Sequence, residues 1–259
     1  MNMTGVLDGK RAVITGANRG IGLGVAEGFL EAGADLTIVA LEEDVTKVAA
    51  DLSDQFGREV RGLQCDISNL GQVDALAVQL DGLDILINNA GFEYITPIQD
   101  PSQRVDDVFR QVVETNVIGT FSVTRKLLPK LADGGRIVNT ASMWGKTAVA
   151  EFSAYCASKH AVIGLTRSLS QELAPRGISV NAVCPGWVRT MASMRSLAFM
   201  AARQERTEAD LLEEIVAGQA LDGLMEPRDM AAMYVFLAGP AAANITGQSF
   251  TVDRGELMQ

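Results

Sequence analysis

A doubly wound α/β domain, with a mostly parallel sheet covered by helices on both faces, is the fold this sequence predicts. Three observations carry it. Short apolar runs alternate with longer amphipathic ones from the start of the chain. The strand-like runs are apolar throughout, as strands buried on both faces require, and no repeat, linker or low-complexity tract interrupts the rhythm. At 259 residues, 47% of them hydrophobic and 21% charged, the chain suits one domain over 1–259 with a sizeable core.

The elements follow in order. Residues 11–15, Arg-Ala-Val-Ile-Thr, read as a buried strand, and 21–32 as a helix stopped at Gly33. A second strand occupies 35–40, with a helix over about 45–56. Further strands fall at 60–65, 84–88, 135–141, 179–183 and 249–252, which makes seven. The longest helical stretches are 102–131 and 153–174. Between 187 and 225 the rhythm lapses into a Met- and Ala-rich, charge-dotted stretch. It begins just past a strand end, where ligands sit in such sheets, and is read as a substrate lid.

Composition excludes several classes of function. A net charge of −10 argues against nucleic acid or an anionic membrane as partner. No apolar run approaches the ~18 residues of a membrane span, and the first ten residues lack the pattern of a signal peptide. Cys65, Cys156 and Cys184 are widely spaced and follow no metal-ligand pattern, so reduced intracellular thiols and no metal site are expected. A cytoplasmic protein acting on a small molecule is the reading.

Tyr155 and Lys159 lie four apart in a run, 153–161, that reads as helix, so they share one face. An ammonium beside a phenol favours the phenolate and lowers its pKa from ~10. A phenol so tuned exchanges a proton with an alcohol or carbonyl oxygen near neutral pH. Such pairs also arise on exposed helices with no chemistry attached, so the meaning of this one rests on its company.

That company begins at Thr15-Gly16-Ala17-Asn18-Arg19-Gly20-Ile21-Gly22, which joins the first strand to the first helix. Glycines there let the backbone turn sharply and approach a pyrophosphate resting on the helix N-terminus. The spacing resembles the glycine motif of the short-chain dehydrogenase/reductase family. Other segments then fall in that family's order. Asp66-Ile67 matches the acidic residue that holds the adenine amino group, and Asn88-Asn89-Ala90-Gly91 the motif lining the adenosine ribose. Asn116 matches the helix asparagine of the proton relay, and Ser142 the serine ahead of the tyrosine and lysine. Pro185-Gly186, with Val188 and Thr190 beyond, resembles the segment that holds the nicotinamide carboxamide. The resemblance covers essentially the whole chain and implies a Rossmann-type single domain.

By that resemblance, Ser142 stabilises charge on the substrate oxygen and Tyr155 is the general acid/base. Lys159 lowers the Tyr155 pKa and holds ribose hydroxyls, while Asn116 positions a water. Dinucleotide contacts are implied at Gly16, Asn18, Arg19, Gly20, Ile21, Gly22, Leu41, Asp66, Ile67, Asn89, Ala90, Gly91, Tyr155, Lys159, Pro185, Gly186, Val188 and Thr190. The implied reaction is NAD(P)-dependent interconversion of a secondary alcohol (polyol, sugar or hydroxy acid) and its ketone. A 3-oxoacyl thioester reductase is the alternative within the enzyme class. A dinucleotide-binding sensor or scaffold is the rival from another class, and it would be expected to lose part of the Ser-Tyr-Lys set that this chain keeps. Relatives pair the helices bearing Asn116 and Tyr155, so a homotetramer or homodimer is implied.

Cofactor choice turns on the end of the second strand, where an acidic residue suits a free 2′-hydroxyl and cations suit a 2′-phosphate. The deciding position is Ala40, followed by Leu41, and offers neither. Arg19 speaks for NADP(H). Glu42, Glu43 and Asp44 speak for NAD(H) unless they turn outward as a charged first helical turn. The balance favours NADP(H) by a narrow margin. For the substrate pocket the candidates are Glu93, Trp144, Glu151, Trp187 and Met191: an apolar wall, with two glutamates that either bind hydroxyls or are solvated. Arg189, Arg195, Arg203 and Arg206 either meet an anionic substrate or are solvated. His160 points about 100° away from Lys159 around the helix, toward packing or the surface. Arg254 departs from the family's usual glycine pair and puts in doubt a tail packed as in relatives.

Overall fold

Residues 5–258 are described by the computed structural model, in which the expected strands join into one sheet. The strands are β1 (Arg11–Thr15), β2 (Asp35–Ala40), β3 (Val60–Gln64), β4 (Leu83–Asn88), β5 (Leu131–Thr140), β6 (Ser179–Pro185) and β7 (Ser249–Val252). Their order is β3-β2-β1-β4-β5-β6-β7 and every pairing is parallel. Successive strand side chains point to opposite faces, so one sheet builds two cores. Ile14 and Ile38 join Val25 and Phe29 of helix α1 (Gly20–Glu31) and Tyr234 of a late helix. Val13 and Val39 face the other way and meet Val73 and Leu76 of helix α3 (Leu70–Gln79). Helix α2 (Val45–Phe56) stops at Gly57, whose φ of 62° is left-handed.

Strand order reverses beside β1, which lies between β2 and β4. The turns leaving β1 and β4 therefore diverge, and the crevice between them is the place where such sheets bind ligands.

Two stretches differ from expectation. The single helix over 102–131 is broken into α4 (Gln103–Val113), a π-helical turn Glu114–Gly119, α5 (Thr120–Leu127) and a 3-10 turn Leu128–Lys130. Pro129 supplies no N–H and ends the helix. Leu131 already belongs to β5, pairing with Leu83 ahead of a register shift. The 187–225 stretch is regular: α7 (Met191–Arg203) and α8 (Glu208–Ala217) fill most of it. Thr190 and Ser193 cap α7 reciprocally, and Thr207 accepts from Asp210 N at the start of α8. These helices bury Trp187, Leu197, Ala201 and Leu211 in a small core of their own. Helix α6 (Ser153–Glu172) joins β5 to β6 ahead of them in the chain, and α9 (Ala231–Ala238) follows them.

After β7 the chain turns at Arg254, φ 57°. Its carbonyl accepts from Ala220 N and Leu221 N, which ties the tail to the end of the 187–225 segment. The three cysteines are free and buried. Among the described residues no helix is long and apolar enough to cross a membrane, and no cluster of metal-ligating side chains forms.

Candidate active site

Two loops at the crevice are joined by one threonine. Thr15 Oγ1 accepts from Asn89 N at 3.0 Å and Ala90 N at 3.1 Å. Asn89 Nδ2 returns bonds to Thr15 O at 3.1 Å and Gly16 O at 2.9 Å. The contact leaves no room for side chains. A Cβ on Gly16, at φ 64°, would lie 2.7 Å from Ala90 Cα, and one on Gly22 would lie 2.1 Å from Gly16 O. Helix α1 then starts at Gly20 with no acidic residue in its first turn. Its unpaired N–H groups and positive end are suited to a phosphate.

A cleft of about 790 Å³ extends from this turn, lined by Gly16, Asn18, Arg19, Gly20, Ile21, Leu41, Asp66, Ile67, Asn89, Ala90, Gly91, Tyr155, Lys159 and Thr190. Gly22 lies beneath the turn instead, against Gly16. Pro185, Gly186 and Val188 line a smaller pocket beside the cleft, and Ile21, Glu93, Thr140, Tyr155 and Thr190 line both. Asp66 spends one carboxylate oxygen on Ser68, accepting from its N at 2.9 Å and its Oγ at 2.6 Å. The residues and the cleft fit a dinucleotide.

At the end of β2, Glu42 and Asp44 turn toward the glycine loop, while Glu43 is exposed. Glu42 pairs with Arg19, and Asn18 Nδ2 donates to Glu42 Oε2 at 3.3 Å and Asp44 Oδ1 at 2.8 Å. Arg19 is thus already partnered by an acid.

Ser142 ends the β5 segment and caps the 3-10 turn Met143–Gly145, accepting from Trp144 N at 3.1 Å. Tyr155 and Lys159 share a face of α6, as expected. Lys159 is 4% exposed; its Nζ donates to Thr140 O at 2.8 Å and lies 5.4 Å from the centre of the Tyr155 ring. Burial brings Lys159 down to about 8, against the pull of Glu93 and Cys184. Burial and then the Glu93 carboxylate push the Tyr155 phenol up, and only the Ser142 hydroxyl draws it back. Asn116 sits in the π-helical turn with its amide fully used: it accepts from Phe92 N at 2.7 Å and donates to Phe92 O and Ser158 Oγ at 2.9 Å each.

Sequence reasoning missed a buried polar chain behind this site. Asn88 Nδ2 donates to Thr124 Oγ1 and Asn139 Oδ1, and Asn139 Nδ2 to Thr166 Oγ1, all at 2.9 Å. It crosses from α5 through β4 and β5 to α6. A run of Asn and Thr inside otherwise apolar strands was the available signal.

The smaller pocket is lined by Ser142, Met143, Trp144, Tyr155, Trp187 and Glu93, with Ser193 on α7. Trp144 meets the rings of Tyr155 and Trp187 edge-on at 6.0 and 5.8 Å. Glu93 is not a solvated loop residue. It accepts from Ser196 Oγ of α7, Arg195 donates to its carbonyl at 2.7 Å, and burial pushes its carboxyl up. Glu151 does not line the pocket. It holds φ 67° and pairs with Arg203 at the far end of α7. Met191 is 74% exposed and lines the larger cleft rather than the pocket. Nor are the segment's arginines free for an anionic substrate: Arg189 pairs with Glu226 and Arg206 with Glu214. Tyr94, unremarked in the sequence, carries Arg104 and Arg195 over its ring at 5.3 and 5.5 Å and meets Phe199 of α7 at 5.2 Å. His160 bonds Cys156 O at 2.9 Å and takes no part.

Comparison with known proteins agrees with this geometry. Residues 16–256 match a family model described as enoyl-(acyl carrier protein) reductase. The chain is similar to the D-beta-hydroxybutyrate dehydrogenase of Cupriavidus necator, 34% identical over 268 residues that cover 98% of this chain and 100% of that protein. It is 33% identical to the 3-oxoacyl-(acyl-carrier-protein) reductase of Vibrio harveyi, over 97% of this chain and 99% of that protein. Among solved structures, the L-sorbose reductase of Gluconobacter frateurii complexed with NADPH and L-sorbose superposes with a TM-score of 0.89. That protein is 28% identical, with each chain covered in full at 100%.

Proposed function

The chain belongs to the short-chain dehydrogenase/reductase family, and from that premise we propose that it is an NAD(P)-dependent oxidoreductase interconverting a secondary alcohol and its ketone. One observation carries the reading: Tyr155 lines both the dinucleotide-sized cleft and the pocket that holds Ser142, and Lys159 lines the cleft beside it. The nicotinamide supplies or accepts the hydride; the protein orients and polarises. Ser142 donates to the substrate oxygen and stabilises the charge that develops on it. Tyr155 takes the proton of the alcohol, or returns one to the carbonyl oxygen. Lys159 would hold the ribose hydroxyls of a bound dinucleotide and lend positive charge to the phenolate. Asn116 acts as a positioning residue that holds the Gly91–Phe92 loop against α6.

NADP(H) is favoured over NAD(H), because Arg19 stands at the cleft where a 2′-phosphate arrives; the Glu42 pair narrows the margin. The 187–225 helices act as the substrate lid. A cytoplasmic homo-oligomer accords with family habit. A 3-oxoacyl thioester reductase is the second reading, supported by the apolar walls of Trp144 and Trp187. The test is cofactor absorbance at 340 nm across polyols, ketoses, hydroxy acids and oxoacyl thioesters with both dinucleotides. Turnover that vanishes in Tyr155→Phe supports the assignment; dinucleotide binding without turnover of any of them favours a sensor.

A further inference from the structure

The pocket wall carries an acid and, among the described residues, no base, although Arg195 and Lys159 act on that acid from behind the wall. Among the described residues that line it, Glu93 is the single charged side chain, in company with the apolar rings of Trp144 and Trp187 and the hydroxyls of Ser142 and Tyr155. No cation reaches ion-pair distance of the Glu93 carboxylate among the described residues; its partner is the neutral Ser196 hydroxyl. Arg195 acts on the carboxylate through space, but each arginine of the segment has a partner of its own. Arg195 donates to the Glu93 carbonyl and lies over Tyr94, while Arg189, Arg203 and Arg206 are paired with Glu226, Glu151 and Glu214.

We propose that Glu93 selects the substrate: the pocket takes an uncharged polyol or its hydroxyketone, one hydroxyl of which donates to the Glu93 carboxylate, and turns away hydroxy acids. The inference rests on the oxidoreductase reading and narrows it. A carboxylate is an acceptor only, so it suits a ligand rich in O–H donors and repels another anion in a site of low dielectric. The indole faces and edges beside it cover the C–H surfaces of such a ligand. Ser196 is the hydroxyl that occupies Glu93 in the ligand-free protein, so a substrate hydroxyl exchanges one O–H donor for another, and no buried acceptor is left bare. Because Ser196 sits on α7, the exchange also reports substrate arrival to the lid.

The experiment compares kcat/KM for xylitol, sorbitol and their ketoses with that for 3-hydroxybutyrate and gluconate, plus a 3-oxoacyl thioester, using both dinucleotides. Wild-type protein is expected to favour the neutral polyol or ketose by at least ~10-fold. Glu93→Gln keeps the shape and removes the charge. It should raise KM for the polyol several-fold, move the pH profile of kcat downward because the Tyr155 phenol loses a neighbouring anion, and raise kcat/KM for the hydroxy acid by ~10-fold or more relative to the polyol. A structural role alone would lower both substrates together. Turnover confined to hydroxy acids or oxoacyl thioesters, or a Glu93→Gln variant with the wild-type substrate ratio, overturns the selection rule and leaves the oxidoreductase reading standing. No turnover in any class, with dinucleotide still bound, overturns both.

Discussion

The two sides of the cleft are built from different materials. On the dinucleotide side, the contacts are backbone and short buried side chains at strand ends: Thr15 against Asn89 and Ala90, Gly16 against Ala90, Gly22 against Gly16. Behind them lies the larger apolar core of β1, β2 and α1. On the substrate side, α7 and α8 bury four residues in a separate small core and are otherwise held by side chains. For α7 these are few and partly exposed: the Arg203–Glu151 ion pair, Arg195 donating to the Glu93 carbonyl and Ser196 donating to the Glu93 carboxylate. Exposed pairs contribute only ~0–1 kcal/mol each. A ligand common to many proteins is therefore met by a rigid backbone cradle, while the variable ligand is met by an element able to open locally.

The sharpest break between the two sides should come at their shared residue. Tyr155→Phe removes only a hydroxyl, so kcat should fall by ~10² or more, while dinucleotide affinity measured by nicotinamide fluorescence stays near wild type. Loss of both together would mean that the phenol belongs to the cradle rather than to the chemistry.

Lys159 tests the same junction through stability. Its folded value of about 8 lies below the ~10.4 of an unfolded lysine. Below about 8 both states carry the proton and the full cost of burying the charge is present. Between the two values unfolding takes up a proton, so stability rises with pH. Relative to Lys159→Met, wild type should gain on the order of 3 kcal/mol across that window, read from urea melts at stepped pH. Parallel curves would show that the ammonium is solvated.

Within the cradle, Gly22→Ala forces a Cβ against Gly16 O at 2.1 Å. Overpacking of this kind costs ~1–3 kcal/mol, and dinucleotide affinity should drop by ~10-fold or more. A variant that binds normally would show the turn to be soft. Charge at the mouth of the cleft should matter less. Glu42→Gln frees Arg19 and should lower KM for NADP(H) several-fold with little change for NAD(H), a charge-assisted bond being worth ~1.5–3 kcal/mol. Arg19→Ala should do the reverse. Equal response of both dinucleotides would remove Arg19 from the phosphate site.

The smallest effect is expected in the lid. Glu151→Gln should change global stability by under ~1 kcal/mol, yet hasten amide exchange across 191–217 relative to β1 and α1. Protection equal to that of β1 would erase the contrast between the two sides.

Much of the cradle was legible because its causes are local. Helix α2 was read at its observed limits, Val45–Phe56, from period and flanks, and the glycines of 16–22 announce a turn by their spacing. Regularity in 187–225 was hidden because its helix starts depend on hydroxyl caps, Thr190 and Thr207, that resemble loop residues in a charged stretch. The break in 102–131 was signalled only by Pro129; nothing local marks the π-helical turn at Asn116, whose amide is fixed by Phe92, 24 positions away in sequence.

Chain-local chemistry determined the α/β alternation, the phosphate turn, and the shared face of Tyr155 and Lys159, because each depends on residues within a few positions of one another. Tertiary structure alone decided which partner each charge meets. Arg19 finds Glu42 at a separation of 23 residues and Glu93 finds Ser196 at 103. It also decided that burial, the Glu93 carboxylate and the Ser142 hydroxyl act on the Tyr155 phenol. Partner choice and desolvation are properties of the packed interior, where distance is set by the sheet and dielectric by what surrounds a group. Neither is written along the chain.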